Sequence, residues 1–208
     1  MTVLVLDLDG VVVRGHPEGG RWDKHIERDL GLKPDILQNR FFRPHFQKIV
    51  TGQADLLETL ERIWPELECP ATPRALIDYW FAADSALDAD VLAQVDAWRA
   101  RWRKAYLGTV QEHHRARYLM QTLGLARHFD DILYAAALGA AKPDPLFYER
   151  AQARLRVSSP ADVLFFDDFV KNVDAAKQFG WRAWHFKEAA DLRAGLAQAA
   201  TSSASPTD

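Results

Sequence analysis

Two aspartates follow a short apolar run near the start of the chain. Val3–Leu6 is rich in β-branched residues and leads directly into Asp7-Leu8-Asp9-Gly10. A continuous apolar run of this length predicts a fully buried strand that ends in a loop. Two carboxylates one residue apart beyond such a strand can converge on one point. There they can divide the roles of nucleophile and acid–base catalyst, or bind a divalent cation. The alternative interpretation is an Asx-turn that ends the strand.

A second acidic pair ends a second apolar run. Val163–Phe166 is followed at once by Asp167 and Asp168. In a parallel sheet the carboxyl ends of the strands lie at one edge, so both acidic pairs would crowd the same crevice. Like charges so close are unfavourable unless a cation neutralises them, and an oxygen-only donor set favours Mg²⁺. The alternative is a pair of capping aspartates that opens the next helix.

A lysine and a threonine are the next candidates for chemistry. Lys142, in a Lys-Pro-Asp-Pro stretch, precedes a predicted helix over 145–155. Such a lysine can place its ammonium group over an anionic site, whereas an isolated lysine is more often a solvated surface residue. Thr109 follows a weaker strand candidate, Tyr106-Leu107. A hydroxyl at a strand end can donate to a phosphate oxygen, although this signal is weak by itself.

The elements that must position these residues alternate in type after about residue 104. Further strand candidates lie at 132–134 and 183–186, and helices are predicted over 113–123, 145–155 and 173–179. The first and last of these helices end at Gly124 and Gly180, which are favourable helix stops. Ser159-Pro160 predicts a short turn before the second apolar strand. This alternation predicts a parallel sheet covered by helices.

Residues 15–102 have a different pattern. Apolar residues recur there at helical spacing without a strand-like run, which predicts an inserted block of about four helices. The helical stripes carry Trp22, Trp64, Trp80, Trp98 and Trp102, which we interpret as the core of the block rather than a ligand cage. The segment 41–46 could face the crevice and contact substrate, but core packing is the favoured interpretation. The block is inserted at the carboxyl end of the first strand, where ligands of α/β sheets bind.

Composition excludes several classes of protein. The chain has 208 residues, 26 Lys+Arg against 29 Asp+Glu and a net charge of −3. This balance, without a long basic run, predicts no nucleic-acid partner. The single cysteine, Cys69, excludes an internal disulfide and favours a reduced, cytoplasmic setting. No window approaches the roughly 18 apolar residues of a membrane span, and we expect neither a membrane partner nor a signal peptide. The adjacent His113 and His114 would point to different helix faces, which makes them poor ligands for one metal ion.

Together these motifs resemble the haloacid dehalogenase (HAD) superfamily. Its signature is an Asp-x-Asp after the first strand, a threonine or serine after the second, a lysine before a helix, and an acidic pair after the fourth strand. The matching residues here are Asp7 and Asp9, Thr109, Lys142, and Asp167 with Asp168. The resemblance covers nearly the whole chain except the tail.

The resemblance implies a fold and its domains. The expected core is a three-layer, Rossmann-like α/β domain with a parallel sheet, over residues 1–14 and 103–190. Residues 15–102 would form an all-α cap of the first type, inserted after the first motif. For residues 191–208, which lie largely outside the resemblance, the small and polar composition predicts a helix end and a flexible tail, frayed from Ala197 onward.

The resemblance also implies a mechanism. Asp7 would attack phosphorus and form an aspartyl-phosphate. Asp9 would protonate the leaving oxygen and then take a proton from the hydrolytic water. Lys142 and Thr109 would contact the phosphoryl oxygens, and Lys142 would also orient Asp7.

Mg²⁺ is the cofactor that the resemblance implies. Its ligands would be the Asp7 carboxylate, the Asp9 backbone carbonyl and Asp168, with Asp167 assisting directly or through water. Asn172 would support the loop that carries the acidic pair.

The second acid distinguishes between branches of the family, because dehalogenases lack it. We therefore expect a Mg²⁺-dependent phosphomonoester hydrolase that acts on a small phosphorylated metabolite such as a sugar phosphate. A phosphosugar mutase and a non-catalytic binding or regulatory protein are the alternatives. Val110 and Phe169 depart from the family pattern and leave specificity open. The chain is expected to be a monomer or a homodimer.

Overall fold

A five-stranded parallel sheet forms the core of the protein. The computed structural model describes residues 2–202, and the strand order within this range is β3-β2-β1-β4-β5. The strands are β1 (Val3–Leu6), β2 (Ala105–Thr109), β3 (Asp131–Tyr134), β4 (Val163–Asp167) and β5 (Arg182–His185). All four neighbouring pairs are parallel. The predicted α/β class is confirmed.

Helices occupy most of the chain between the strands. They are α1 (Ile26–Leu30), α2 (Pro34–Leu37), α3 (Arg43–Val50), α4 (Leu56–Ile63), α5 (Pro73–Ala83), α6 (Ala89–Arg99), α7 (His113–Arg117), α8 (Ala135–Leu138), α9 (Pro145–Leu155), α10 (Val170–Phe179) and α11 (Ala189–Ser202). Two π-helical turns, Gln38–Phe42 and Tyr118–Thr122, continue α2 and α7. Short 3₁₀ turns lie at Trp64–Leu67, Leu125–Arg127 and Pro160–Asp162.

Helices cover both faces of the sheet, which explains why β1 and β4 are continuous apolar runs. Every residue of both strands is buried. Leu4 and Leu6 pack in a cluster with residues of α6, α7 and α11, whereas Val3 and Val5 pack on the other face with residues of α8, α9 and α10. Because side chains alternate along a strand, a central strand buried on both faces needs apolar residues at every position.

The predicted helix over 145–155 agrees with α9, and the helix predicted over 173–179 begins earlier, at Val170. The tail predicted to fray from Ala197 differs more, because α11 continues to Ser202. Ala199 is 6% exposed and belongs to the core cluster of its face of the sheet. This alanine-rich segment favours helix and packs on the core. Residues 203–208, the rest of the predicted flexible tail, lie outside the described residues.

The inserted helices α1–α5 have an apolar cluster of their own. It includes Ile26, Leu37, Leu56, Leu60, Ile77 and Trp80. Phe41 is 1% exposed, and Phe42 and Phe46 pack edge-on against Trp80 or each other. Trp22 stacks on Trp80 with ring centroids 5.2 Å apart. Phe41 therefore lies within the apolar cluster of the insertion, and Phe42 and Phe46 are partly buried against it.

The last helix of the predicted cap packs elsewhere. Val91, Val95 and Trp98 of α6 belong to a cluster on the sheet, not to the cluster of the inserted helices. We therefore propose that the cap ends before α6 rather than at residue 102. The prediction that Trp102 belongs to a buried helical stripe is wrong. This residue lies beyond the end of α6 with φ of 59° and is 95% exposed.

The two connections between the sheet and the insertion run side by side. Val13 and Leu87 form an antiparallel bridge, and Asp88 N–H donates to the carbonyl of Val12 at 2.9 Å. Arg14 Nε contacts Asp88 Oδ2 at 3.0 Å. We call residues 12–15 and 86–88 the linker ribbon. It places both ends of the insertion beside the loop that follows β1. Within residues 2–202, no helix combines the length and apolar character needed to cross a bilayer.

Candidate active site

A buried lysine lies between two aspartates at the carboxyl edge of the sheet. Asp7 follows β1, Asp167 ends β4, and Lys142 precedes α9. Lys142 Nζ lies 2.8 Å from Asp7 Oδ1 and 2.6 Å from Asp167 Oδ2. The lysine side chain is 1% exposed, so it is not a solvated surface residue. Asp7 and Asp167 are brought together because β1 and β4 are neighbours, and the segment between α8 and α9 places Lys142 between them.

Hydrogen bonds from Asn172 and Phe169 hold the Asp167 carboxylate in place. Asn172, in the first turn of α10, donates from Nδ2 to both carboxylate oxygens at 3.0 and 3.1 Å. Phe169 N–H donates to Asp167 Oδ1 at 2.8 Å, and Tyr148 Oη donates to the carbonyl of Asn172 at 2.8 Å. The supporting role that the resemblance implies for Asn172 thus has a direct contact to act through.

Three carboxylates form a group that fits a hard cation. Asp7, Asp167 and Asp168 each offer an oxygen atom, and these atoms lie within 4.8 Å of one another. Gly10 allows the loop after β1 to approach this group. Its φ is +77°, and a Cβ atom there would lie 2.2 Å from Asp168 Oδ2. An all-oxygen donor set at a tight backbone approach suits Mg²⁺. The carboxylate of Asp9 is outside the group, so only its backbone carbonyl remains for the expected role as a ligand.

Asp9 has a different partner, which sequence reasoning did not identify. Gln111 Nε2 donates to Asp9 Oδ2 at 2.6 Å, and the glutamine is 7% exposed. The only signal in the sequence is that Gln111 lies two residues after Thr109, in the loop that follows β2.

A buried arginine in α7, also absent from the predictions, joins the core to the insertion. The guanidinium of Arg115 donates to the carbonyl of Phe81 at 2.8 Å and to the carbonyl of Asp84. Its Nη2 lies 3.7 Å from Asp84 Oδ2, and the residue is 1% exposed. Asp84 ends α5, so Arg115 fixes the end of the last inserted helix to the core.

The two aspartates of the first motif differ in electrostatics. Burial raises the pKa of Asp7 to about 8; the charges of Asp167 and Asp9 add to this, and Lys142 opposes it. Asp9 is exposed towards the cleft, but desolvation of its carboxyl group by the surrounding atoms still raises its pKa to about 6, with the charge of Asp84 adding and that of Arg115 opposing. A carboxyl group with a pKa near 6 can carry a proton close to neutral pH and give it up.

Burial also raises the pKa of Asp168, and the charge of Asp167 adds to the effect. For Lys142 burial acts to lower the pKa, but the charges of Asp7 and Asp167 outweigh it and raise the pKa above its ordinary value. Lys142 is therefore protonated, and a bound cation would offset the excess of negative charge that remains at the site.

Thr109 lies at the end of β2, and its hydroxyl group has no hydrogen-bond partner among the described residues. The residue is 1% exposed, and its Oγ1 atom is buried. Buried hydroxyl groups almost always have a partner, so this one is free to meet a ligand. Phe169, the departure from the family pattern, is 53% exposed beside the acidic pair.

A cleft of about 500 Å³ lies beside Asp9, between the core and the insertion. Its lining includes Asp9, Gly10, Arg14, Arg21, Trp22 and Asp84. Residues of the first motif, the linker ribbon and the insertion therefore line the same cleft.

A model of the haloacid dehalogenase-like hydrolases matches residues 1–180. The chain belongs to this family. A phosphatase of Mycobacterium tuberculosis (strain CDC 1551 / Oshkosh) is 34% identical to this HAD-like hydrolase over 208 residues, which covers 94% of this chain and 92% of the relative. The resemblance seen in the motifs is thus confirmed.

Solved structures agree with the HAD fold. A HAD family enzyme of Bacteroides thetaiotaomicron, in complex with magnesium and inorganic phosphate, has a TM-score of 0.74 at 16% identity and covers 89% of this chain and 93% of its own. The L-2-haloacid dehalogenase of Xanthobacter autotrophicus, with chloropropionic acid covalently bound, has a TM-score of 0.62 at 21% identity. That match covers 89% of this chain and 77% of its own. The fold therefore accommodates both a phosphate-binding enzyme and a dehalogenase.

Proposed function

We propose that this HAD-like hydrolase is a Mg²⁺-dependent phosphomonoester hydrolase that works through an aspartyl-phosphate on Asp7. The observation that carries the proposal is the second acid, Asp9, with a pKa raised to about 6, beside an Asp7 held by Lys142. Cleavage of a phosphate ester needs an acid to protonate the leaving oxygen. The M. tuberculosis relative is named a phosphatase, which supports this choice over dehalogenation.

Asp7 is oriented for attack by two donors to one of its oxygens. Leu8 N–H donates to Asp7 Oδ1 at 2.7 Å, and Lys142 Nζ lies 2.8 Å from the same atom. The lysine opposes the rise in the pKa of Asp7 and so favours the carboxylate that acts as nucleophile. In the first step a bond forms between an Asp7 oxygen and phosphorus while the ester bond breaks.

Asp9 transfers a proton in both steps. It gives its proton to the ester oxygen as the alcohol leaves, and becomes a carboxylate. It then accepts a proton from the water that attacks the aspartyl-phosphate, and inorganic phosphate is released. The free hydroxyl of Thr109 and the ammonium of Lys142 are the proposed donors to the phosphoryl oxygens.

Asp7 and Asp168 would hold Mg²⁺ through their carboxylates and Asp9 through its backbone carbonyl, with Asp167 adding negative charge beside them. When bound, the ion offsets the charge of the phosphoryl group and of the acidic cluster. The B. thetaiotaomicron enzyme was solved with magnesium and inorganic phosphate, which supports this assignment.

The substrate is proposed to be a small phosphorylated metabolite, such as a sugar phosphate. The cleft of about 500 Å³ suits a small molecule, and the insertion forms one of its walls. The cytoplasmic location and the choice between monomer and homodimer stay predictions.

Hydrolysis of 4-nitrophenyl phosphate with and without Mg²⁺ tests the proposal. Wild type should turn over only with Mg²⁺, and Asp7→Asn should lose more than about a thousandfold in kcat because the nucleophile is gone. Asp131→Asn is the matched control, since Asp131 is exposed at the start of β3, at the opposite edge of the sheet. Turnover by Asp7→Asn near the wild-type rate would overturn the proposal. A panel of phosphorylated metabolites then identifies the substrate.

A further inference from the structure

Gln111 is buried beside the proposed general acid. Its backbone carbonyl accepts a hydrogen bond from Ala136 N–H at 3.1 Å, which fixes the loop after β2 to the start of α8. Its side chain reaches across to Asp9 Oδ2, with Nε2 at 2.6 Å. The glutamine therefore contacts the first motif from a different strand loop, and it is held at both its main chain and its side chain.

The direction of this hydrogen bond limits where Asp9 can carry a proton. An amide nitrogen donates and does not accept, so Asp9 Oδ2 must be the acceptor. With the Gln111 amide in this orientation, a neutral Asp9 carries its proton on Oδ1. The other oxygen is engaged by Gln111, and Oδ1 is the atom left to serve the substrate.

We propose that Gln111 is a positioning residue that fixes the Asp9 carboxyl so that Oδ1 presents the proton to the leaving oxygen. This inference rests on the proposed phosphatase function.

The contact also changes in strength as the reaction proceeds. The ester oxygen takes the proton from Asp9 Oδ1 as its bond to phosphorus breaks and the bond from Asp7 to phosphorus forms. Asp9 is then a carboxylate, and its hydrogen bond from Gln111 becomes charge-assisted. Hydrogen bonds to ionised acceptors are roughly twice as strong as neutral ones. Gln111 thus stabilises the form of Asp9 that appears as the proton is transferred.

A packing role predicts a different result from a positioning role. If Gln111 only filled space, its loss would harm all substrates equally. If it positions the acid, its loss must harm most the substrates whose leaving group needs a proton. Phenyl phosphate needs this proton far more than 4-nitrophenyl phosphate, because nitrophenolate is a stable anion and phenolate is not. The two substrates are nearly the same size.

The experiment compares kcat/KM for these two substrates in wild type and Gln111→Met, which keeps the length of the side chain but removes the donor. We expect kcat/KM for phenyl phosphate to fall about tenfold more than for 4-nitrophenyl phosphate. A general acid contributes roughly 10²–10⁴-fold to the rate, and loss of its positioning should remove part of that contribution. Asp9→Asn should change the same ratio in the same direction and by more. Because the ratio is measured in one preparation, it does not depend on the fraction of protein that is folded.

Gln94→Met is the matched control. Gln94 Nε2 donates to the carbonyl of Ala189 at 2.9 Å and joins α6 to α11, away from the site. This variant should leave the ratio of the two kcat/KM values at the wild-type value. Equal losses on both substrates in Gln111→Met, or no loss on either, would overturn the positioning role while the phosphatase function stands. A wild type that hydrolyses neither substrate would instead overturn the proposed function.

Discussion

Asp7 and Asp9 are one residue apart, but different parts of the molecule complete their surroundings. The Asp7 carboxylate contacts Lys142, which also contacts Asp167, so these charged partners lie at the carboxyl edge of the sheet. The Asp9 carboxylate contacts a neutral amide, and Asp84 is the charge that adds most to the rise in its pKa. Asp84 lies at the end of the last inserted helix.

The difference separates two requirements of one reaction. The surroundings of the proposed nucleophile are complete within the sheet domain. The surroundings of the proposed acid include Asp84, which Arg115 binds to the core through two carbonyls at the end of α5. The position of the insertion therefore bears on Asp9 more than on Asp7. Three measurements test this contrast.

Replacement of Lys142 by methionine should have the largest effect, because it leaves two buried carboxylates facing each other. Loss of one partner of a buried ion pair costs about 3–5 kcal/mol in the free energy of unfolding. Chemical denaturation of the metal-free protein measures this. Lys104→Met is the matched control, since Lys104 pairs with Asp130 at 2.7 Å on an exposed surface and its loss should lower the free energy of unfolding far less.

Adding Asp167→Asn to Lys142→Met should restore part of the lost free energy of unfolding. A double variant no more stable than Lys142→Met alone would contradict the proposed pairing of charges around Asp7.

The pH dependence of stability should distinguish the two aspartates next. Both pKa values are raised above the ordinary 3.8, so the folded protein keeps protons that the unfolded chain releases, and stability falls as pH rises. The loss of stability that Asp7 causes should continue to about pH 8, whereas the loss that Asp9 causes should end near pH 6. Its slope for one proton is at most about 1.4 kcal/mol per pH unit.

Thermal unfolding in EDTA, from pH 4 to pH 9, checks this. Relative to wild type, Asp7→Asn should gain stability up to about pH 8, and Asp9→Asn should stop gaining near pH 6. Mg²⁺ should reduce the gain of Asp7→Asn, because the ion binds the ionised wild-type site. If stability depended on pH in the same way in Asp7→Asn and Asp9→Asn, the two aspartates would not differ in pKa, and the contrast between their surroundings would be wrong.

The smallest effect is expected at a contact between the core and the insertion that does not include Asp9. His114 Nε2 lies 2.8 Å from Asp55 Oδ2, at the start of α4. This pair is partly exposed, so His114→Ala should lower the free energy of unfolding by less than about 1 kcal/mol and leave kcat/KM within about threefold. His128→Ala is the control, since its partner, Asp96, lies in α6 on the core. A large loss of activity in His114→Ala alone would show that the whole interface, and not Asp84, sets the state of Asp9.

The sheet could be predicted well because its strands carry strong local signals. Val3–Leu6 and Val163–Phe166 are apolar at every position, which is typical of strands buried on both faces. The boundary of the insertion could not be read in the same way. The apolar stripe of α6 has helical spacing whether it packs on the insertion or on the sheet, so periodicity alone cannot choose between them.

The residues of the site also divide into those that the sequence could predict and those that it could not. Asp7, Lys142 and Asp167 are part of motifs whose order along the chain matches the order of the strands, and their meeting follows from the topology. Gln111 and Arg115 could not be predicted. Each acts through one long side chain, and a glutamine or an arginine after a strand is common at exposed positions. Only the three-dimensional structure shows that both are buried beside Asp9 or Asp84.

The central place of β1 has a consequence for synthesis of the protein. Leu4 pairs with Ala105 on one side and with Leu164 on the other. On the ribosome the first strand therefore emerges about a hundred residues before the nearer of its partners, and non-local pairings of this kind form slowly. The inserted helices can collapse through local contacts in the meantime. Until β2 and β4 have been synthesised, the backbone N–H and C=O groups of the nascent Val3–Leu6 segment have no strand partner. An unpaired apolar strand of this kind can pair with another chain and aggregate. The two aspartates that follow β1 are thus made about a hundred residues before the strands that complete their surroundings.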